Sequence, residues 1–449
     1  MKTKFKRQNR ETRIVSDEHS FFELAGEWDA LADEAEVPVH CRFDWLYCWW
    51  EHFGRHPKRS LCIVAISRQG SLVGIAPFYL GRSKLGRVEL ETRLNLMGCG
   101  TDRNELLGFL NDYGYSDFLD IIAHPDHQEY VAGEIADLLQ RNVFDADYVI
   151  LQHVHEDSFV VRHLLPAVEK RNLSYHQKEI DECPYISLPG TMSEYIEQTG
   201  PSSRRRRLKK NLEAAGKKYT VRKIPSEVEL PVSGPADTPP RNGTDHGTEE
   251  ELMNGLNQVI RMHQGRWNSI GYPGAFYDCR HIHFVEDVSR RLYDKGWLRI
   301  GLAEDQQGCS AVRMAIHDGK STYDWLSGFD DAYPSARHRP GLGLLARMIE
   351  DAIQQNSSTV ELMRGAERYK FDFASESRKN RRITIPLGPR PGLLQKASFR
   401  FLHLFAKLYY RIVREGKLLD VQFKERGVVK MWYSYGKFRL GAITNRNGS

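Results

Sequence analysis

The stretch HRPGLGLLARMIEDAI, residues 338–353, places two glycines one residue apart before an apolar, periodic run. Apolar side chains three and four residues apart predict a helix that buries one face. These side chains are Leu344, Leu345, Met348, Ile349, Ala352 and Ile353. Pro340 and Gly341 mark the start of the helix. A helix N-terminus has unpaired N–H groups and a partial positive charge, so glycines there let an anion approach the main chain.

The same stretch excludes two nucleotide sites and leaves two interpretations open. It lacks the GxxxxGK[ST] pattern of a P-loop and the third glycine of a dinucleotide fingerprint, which disfavours nucleotide hydrolysis and NAD binding. HRPGLG is compatible with a pyrophosphate cradle. A Pro-Gly turn that only begins a helix is the structural alternative.

Composition indicates a globular protein of more than one domain. The chain has 449 residues, 41% of them hydrophobic and 27% charged, and this length predicts two domains. The net charge is +5, but residues 391–449 carry 12 lysines and arginines against 3 acidic residues. The seven cysteines lack disulfide or metal spacing, which fits reduced thiols. With no secretory signal and no apolar run of about 18 residues, a cytoplasmic location is expected.

Two segments have the same strand–turn–strand pattern, at 61–80 and 298–317. Each is followed by an apolar strand that reaches a glycine, at 93–100 and 323–329. We therefore predict a duplicated α/β unit whose second copy starts near Ile186.

Three further segments lie in or after the second copy. Residues 202–219 predict a basic helix that stops at Gly216, and 225–251 predict a disordered loop. Residues 397–414 predict an amphipathic helix with a cationic stripe. That helix either packs on the body with a solvated basic face or contacts a membrane surface or a partner.

The order of these elements resembles the acyl-CoA-binding half of the GNAT acetyltransferase superfamily. Its pyrophosphate loop has the pattern [QR]-x-x-G-x-[GA], which His338, Gly341 and Gly343 match, with His at the first position. The resemblance therefore implies acetyl-CoA as donor and no metal. It assigns the donor to His338, Arg339, Gly341, Leu342 and Gly343.

A narrower resemblance joins several motifs, which span residues from about 20 to 385. They are FDWLYCWWEHFG, GSLVGIAP, SRRRRLKKNLEAA, RMHQGRW, GFDDAY and RGAERYKFDF. They are similar to motifs of CelD/BcsL-type cellulose-biosynthesis proteins. Those proteins are in turn similar to Fem-type peptidoglycan aminoacyltransferases, which have tandem GNAT folds. This implies an α/β (α+β) chain with GNAT-like domains at 1–185 and 186–390 and a basic helical tail at 391–449.

Candidate catalytic residues follow from the chemistry of acyl transfer, which needs a base for the acceptor and an acid for the leaving thiolate. Asp330 and Glu367 are candidate bases, and Tyr369 is a candidate acid beside Tyr323 and Tyr333. In Fem-type enzymes a lysine in a similar segment faces the reaction centre. The resemblance implies the same role for Lys370. The structural alternative is a strand in which Tyr369, Phe371 and Phe373 pack and Lys370 points to solvent.

The acceptor side is predicted from aromatic and basic residues. His263 and Trp267 share a helix face; they either pack or border an acceptor cleft, with Trp267 as a platform for sugars. Tyr333 and Arg207 complete the predicted substrate-binding set, since arginine binds phosphate bidentately. His153 with His155, and His281 with His283, could each share a strand face, but no third ligand at metal spacing follows.

Three functions stay open. The first is acyl-CoA-dependent N- or O-acetyl transfer to a sugar or saccharide precursor of an exported polysaccharide. The second is a Fem-like transfer from aminoacyl-tRNA, although the body outside the tail is not basic. The third is a non-catalytic scaffold of a polysaccharide-synthesis complex, held to the inner membrane face by residues 397–414.

Overall fold

The computed structural model describes residues 11–85, 88–101, 114–225, 248–269 and 274–388, with Leu408, Ile412, Glu415 and Gly416. Most of the predicted loop and of the predicted tail helix therefore lies outside the described residues. Contacts divide the described chain into two compact units, 11–183 with 378–388, and 184–377. The strand after residue 376 thus joins the first unit, although the predicted second domain extended to residue 390.

Both units contain helices and strands. The described helices are α1 (Glu18–Glu23), α2 (Ala25–Glu34), α3 (Phe43–Trp49), α4 (Gln128–Gln140), α5 (Leu165–Lys170), α6 (Met192–Gln198), α7 (Ser202–Lys217), α8 (Glu249–Ser269), α9 (Cys279–Asp294) and α10 (Pro340–Gln354). The described strands are β1 (Thr12–Val15), β2 (Arg59–Leu61), β3 (Ile63–Arg68), β4 (Ser71–Ala76), β5 (Phe78–Leu85), β6 (Val88–Leu96), β7 (Ile122–Ala123), β8 (Tyr148–His155), β9 (His176–Ser187), β10 (Thr220–Ile224), β11 (Leu298–Asp305), β12 (Gly308–His317), β13 (Ser321–Phe329), β14 (Thr359–Glu361) and β15 (Glu376–Pro386). The predicted mixed α/β class is confirmed.

The first unit contains two sheets. One has the strand order β1-β3-β4-β7, and the other contains β2-β5-β6-β8-β15 in that order. The predicted hairpin at 61–80 is present as β3 and β4, which pair antiparallel around the turn at Gln69 and Gly70. Both turn residues have positive φ, at 52° and 89°, which suits a tight two-residue hairpin turn. Trp28, Trp45 and Trp49 are fully buried in the core of this unit.

The second unit is built on one sheet with the order β10-β11-β12-β13-β14-β9. Neighbouring strands are antiparallel except β13 and β14, which are parallel and joined by α10. The two pair only at Ser321–Tyr323 with Thr359–Glu361, whereas β13 continues to Phe329. In the part of the chain that the structure describes, the last six residues of β13 therefore have no ladder partner on the β14 side.

The helix predicted from residue 338 is present as α10, and its apolar face lies on the sheet. Leu345, Ile349 and Ala352 are buried in one cluster with Val360 of β14. Across the other face of the sheet, α8 crosses β13 at Gly328. A Cβ added at Gly328 would lie 2.6 Å from the main-chain nitrogen of His263, so only glycine allows this crossing.

Two local predictions were wrong. Lys370–Asp372 forms a 3₁₀ turn and not a strand, because the N–H groups of Lys370 and Phe373 bond to carbonyls three residues earlier in the chain. His281 and His283 lie on α9 and not on a strand. The prediction of a basic helix that stops at Gly216 is confirmed, because the backbone of α7 becomes non-helical at Ala215 and Gly216. No helix within the described ranges is long and apolar enough to cross a membrane.

Candidate active site

A buried ion pair lies in the second unit where β13 separates from β14. Arg313 of β12 donates from Nη1 to Oδ2 of Asp324 on β13, and each side chain is only 5% exposed. The second Nη group of Arg313 donates to the main-chain oxygen of Gly341 at 3.2 Å. Burying such a charge is tolerable only with a close partner, so the pair fixes the guanidinium in one place. Arg313 thereby ties the sheet to the first turn of α10.

Tyr369 lies against the same pair. Its hydroxyl interacts with Arg313, and Asp324, Glu367 and Arg266 are close enough to influence its ionisation. Burial raises the pKa of the Tyr369 hydroxyl, and the charge of Arg313 opposes this only in part. Tyr369 is therefore a protonated phenol at neutral pH, as a proton donor must be.

The amino end of α10 offers one open amide. Its N-cap, Arg339, has left-handed backbone dihedrals with φ of 53°, and its carbonyl accepts from the N–H groups of Leu342 at 2.9 Å and Gly343 at 3.3 Å. Pro340 has no N–H to donate. Among the described residues, the N–H of Gly341 has no acceptor. The predicted cradle therefore consists here of the Gly341 amide and not of a row of free amides.

The two glycines of the stretch are needed for different reasons. A Cβ added at Gly341 would meet no atom within 4 Å, so space lies open beside this amide. A Cβ added at Gly343 would overlap the hydroxyl oxygen of Tyr219 and lie 3.3 Å from the main-chain oxygen of Asn211 on α7. Gly343 therefore serves the packing of α10 against α7, while Gly341 leaves room for a ligand.

Several cations lie near His338, which precedes this amide by three residues. Burial and the charges of Arg337, Lys218 and Lys210 lower the pKa of the His338 imidazole, which places these three side chains near the HRPGLG turn. Lys210 and Lys218 have no carboxylate partner within the described residues. Helix α7 thus supplies positive charge to the amino end of α10, where the helix dipole already favours an anion.

Lys370 is held differently from either interpretation of the sequence. Its side chain is buried, and Nζ donates to the carbonyl oxygens of Met363 at 3.2 Å and Arg364 at 2.8 Å. The Glu367 carboxylate lies 3.0 Å from the same nitrogen. An ammonium has three donors, and all three have acceptors here. Lys370 therefore does not point to solvent and closes the turn after β14; its catalytic role stays a prediction.

The other candidate bases and Tyr333 have local contacts. The Asp330 carboxylate accepts from the N–H of Ala332 at 3.0 Å, which is the contact of a turn-forming aspartate. The carboxylate of Glu367 is committed to Lys370. The Tyr333 ring packs beside Gly308 and is half-buried.

The predicted acceptor residues other than Tyr333 lie on α7 and α8. His263 Nε2 accepts from the indole N–H of Trp267 at 3.2 Å, and burial lowers the pKa of His263 to about 4. His263 is therefore neutral at pH 7 and packs beside Phe276, while Trp267 remains 38% exposed. Arg207 is not a free phosphate ligand, since Nη2 donates to Asp372 at 2.6 Å.

Sequence reasoning missed Arg313, Asp324 and Arg266. The first two stand as single charged residues inside the apolar strand sequences CSAVRMAIH and STYDWLSGF. Because lone charges in buried strands require partners, opposite charges on adjacent strands could have indicated the pair. Arg266 lies over the ring of Phe329 at 4.8 Å, and its sequence context held no comparable signal.

No group of three or more His, Cys, Asp or Glu side chains in the described ranges is arranged to hold a metal ion. His153 lies 3.2 Å from the carboxylate of Asp181 in the first unit. This contact accounts for one of the paired histidines without a metal.

Comparisons with known proteins find similarity in the second unit and in the fold. A family model described as an acetyltransferase (GNAT) domain matches residues 236–371, which is less than half of the chain. No curated protein matches the chain. The crystal structure of FemX has a TM-score of 0.52 and 9% identity, and the match covers 84% of this chain and 96% of FemX.

Two further solved structures match with lower scores. The C-terminal domain of a putative lysylphosphatidylglycerol synthetase from Agrobacterium fabrum has 8% identity and a TM-score of 0.44, with 81% of this chain and 92% of that chain covered. A tandem GNAT protein from the clavulanic acid pathway has 11% identity and a TM-score of 0.40, covering 85% and 100%. Residues 236–371 thus match the model of an acetyltransferase (GNAT) domain, and the chain shares its fold with FemX.

Proposed function

We propose that this chain is an acyl-CoA-dependent acetyltransferase that acetylates an amine or hydroxyl of a sugar or saccharide precursor. The observation that carries the donor is the open amide of Gly341, three residues after His338, on which the charges of Lys210, Lys218 and Arg337 act. An amide at a helix N-terminus beside three cations is suited to a diphosphate. The GNAT match over residues 236–371 supports an acyl-CoA as its source.

Acyl transfer at this site runs as one nucleophilic displacement. The acceptor nitrogen or oxygen attacks the thioester carbonyl, a C–N or C–O bond forms, and the C–S bond breaks. Tyr369 gives its proton to the leaving thiolate, while a base removes the proton of the acceptor. The Arg313 charge, held by Asp324, stabilises the negative charge that develops on Tyr369. The base is assigned to Asp330 or Glu367, and the fixed charge near the carbonyl to Lys370.

The saccharide acceptor is supported by Trp267 alone among the described residues. Its indole is 38% exposed on α8, and its N–H is held by His263, which fixes the ring as a flat apolar surface. Such a surface suits the apolar face of a sugar ring. The cellulose pathway and the cytoplasmic, membrane-peripheral location stay predictions that depend on sequence resemblance and on residues 397–414.

Calorimetric titration with acetyl-CoA tests the donor. Replacing both Lys210 and Lys218 by glutamine should weaken binding at least tenfold, since each charge-assisted hydrogen bond contributes about 1.5–3 kcal/mol. Lys209→Gln is the matched control, because it removes a charge from the same helix and should leave binding unchanged. Absence of binding at millimolar acetyl-CoA would refute the donor assignment.

The alternative function, a Fem-like transfer from aminoacyl-tRNA, can be tested by binding measurements on the same protein. The likeness to FemX supports it only at the level of the fold. Binding of tRNA that falls steeply with salt, together with indifference to acetyl-CoA, would favour an aminoacyl-tRNA donor.

A further inference from the structure

A cavity with several polar side chains in its lining lies beneath α10, separate from the open amide at its amino end. Its volume is about 210 Å³, and it is bounded by the inner face of α10 and by strands β10, β11 and β12. A water molecule needs roughly 10–15 Å³ of such space, so a ligand of several non-hydrogen atoms fits. The charged and amide side chains that line it are Lys223, Arg299, Arg313, Arg347, Asp351, Gln354 and Gln355.

Three polar atoms of these lining residues lack a partner. Nε of Arg299, Nε of Arg313 and Oε1 of Gln355 are buried and have no hydrogen-bond partner in the described part of the chain. Buried polar atoms in folded proteins are nearly always paired with protein, water or ligand, and each unpaired one costs about 1–3 kcal/mol. Two donors and one acceptor that border the same cavity therefore indicate an occupant with both hydrogen-bonding capacities.

The charges that line the cavity are not balanced. Lys223 donates to Asp351 at 2.6 Å, and Arg347 donates to Glu350 at 2.6 Å. Arg299 instead donates to the carbonyl oxygens of Gly296 and Leu298. Within the described residues no carboxylate lies at ion-pair distance from it. Burial lowers the pKa of Arg299 to about 10, so it remains charged at neutral pH. The charge of Asp351 also acts on Arg299, but this carboxylate is already paired with Lys223. An anion in the cavity would therefore relieve the cost of burying Arg299.

The cavity is distinct from the proposed donor site. Neither Gly341 nor the cations around His338 line it, and Asp324 and Tyr369 do not line it. Arg313 alone belongs to both places, because its Nη groups hold Asp324 and the Gly341 carbonyl while its Nε is unpaired. An occupant of the cavity would therefore contact the side chain that anchors the first turn of α10.

We propose that this cavity binds a small protonated oxyanion of the hydrogen phosphate class. Its oxygens accept from Nε of Arg299 and of Arg313, and its hydroxyl donates to Oε1 of Gln355. Such a ligand satisfies all three unpaired atoms and supplies the missing negative charge beside Arg299. The cavity opens to solvent beside Lys223, whose side chain is 48% exposed, so a small ion has an entry path.

The test is calorimetric titration of the full chain with inorganic phosphate, against chloride at equal ionic strength. Saturable binding is expected with the parent protein. Arg299→Met keeps the aliphatic stem and removes the charge, and should weaken phosphate binding at least tenfold. Gln355→Glu, at the residue that follows α10, adds a negative charge to the cavity and should likewise weaken binding at least tenfold. It serves if Arg299→Met does not fold.

Arg222→Met is the matched control, since Arg222 pairs with Glu304 on the neighbouring strand and does not line the cavity. It should bind phosphate like the parent. Equal affinity in parent, Arg299→Met and Gln355→Glu would overturn the proposal, as would no binding at all, which would leave the cavity to water. Displacement of phosphate by CoA would assign the ion to the amino end of α10 and also overturn it. These outcomes do not depend on whether the chain transfers acyl groups.

Discussion

Replacing Gly341 and Gly343 by alanine separates the ligand-binding role of the HRPGLG turn from its packing role. At Gly341 an added methyl meets no atom within 4 Å. Alanine in a helix is favoured over glycine by about 0.5–1 kcal/mol, so Gly341→Ala should not destabilise the protein. At Gly343 the methyl overlaps Tyr219. Overpacking typically costs about 1–3 kcal/mol, so Gly343→Ala should lose about 1–2 kcal/mol after the gain in helix propensity.

Tyr219→Phe provides the double-mutant test of that overlap. The Tyr219 hydroxyl is buried without a hydrogen-bond partner in the described residues, so its removal should cost little or stabilise the fold. The pair Gly343→Ala and Tyr219→Phe should then recover most of the stability lost with Gly343→Ala alone. A coupling free energy of about 0.5–3 kcal/mol is typical of residues in direct contact.

The assays are urea unfolding and hydrogen exchange of the α10 amides, with acetyl-CoA binding measured on each variant. Gly265→Ala is the control for helix propensity, because a methyl there also meets no atom within 4 Å. Gly341→Ala should match this control in stability yet bind acetyl-CoA about tenfold more weakly, since the methyl occupies the space beside the free amide. Equal stability of Gly343→Ala and the control, or unchanged acetyl-CoA affinity in Gly341→Ala, would refute the reasoning.

Three further predictions concern single side chains. Asp324→Asn leaves Arg313 as an uncompensated buried charge and should cost about 3–5 kcal/mol of unfolding free energy in urea, whereas replacing both residues by apolar ones should cost less. Lys370→Met leaves two carbonyl oxygens without their donor, so hydrogen exchange in residues 363–373 should become faster and kcat should fall. Unchanged exchange would show that Lys370 does not hold this turn closed. His263 has a pKa of about 4 in the folded protein. Below pH 6.5 the unfolded chain therefore binds a proton that the folded chain does not, and the free energy of unfolding decreases as the pH is lowered. His263→Phe should flatten this fall, measured as the urea midpoint between pH 6.5 and 4.

Periodicity was enough to locate the elements that position the site. The helix expected from residue 338 to 353 is Pro340–Gln354, and the second predicted hairpin is β11 with β12. Both patterns are local, because spacing along the chain decides which face is buried. The boundary after β14 is not local. The return of Arg378–Pro386 to the first unit depends on pairing with β8, which no pattern within the strand reveals.

The site itself was harder to predict, since a residue's chemistry depends on partners that are distant in sequence. Lys370 is near Tyr369 in the chain, and both were predicted to act in catalysis. In the folded chain Tyr369 contacts Arg313, which lies 56 positions earlier in the sequence. Lys370 instead donates to carbonyl oxygens of the preceding turn. A sequence motif can therefore identify the segment that contributes to a site without showing which of its side chains can contact a substrate.

Arg313 shows how the packing of the fold bears on its proposed chemistry. The strand that carries it is buried and mostly apolar, so the charge must be neutralised by Asp324 on the next strand. Once neutralised, the same guanidinium has donors left for the Gly341 carbonyl and for Tyr369. A change in this ion pair should consequently alter stability, the first turn of α10 and the acidity of Tyr369 together. If acetyl-CoA affinity and the pH dependence of kcat both stayed constant in Asp324→Asn while stability fell, the ion pair would serve the fold alone.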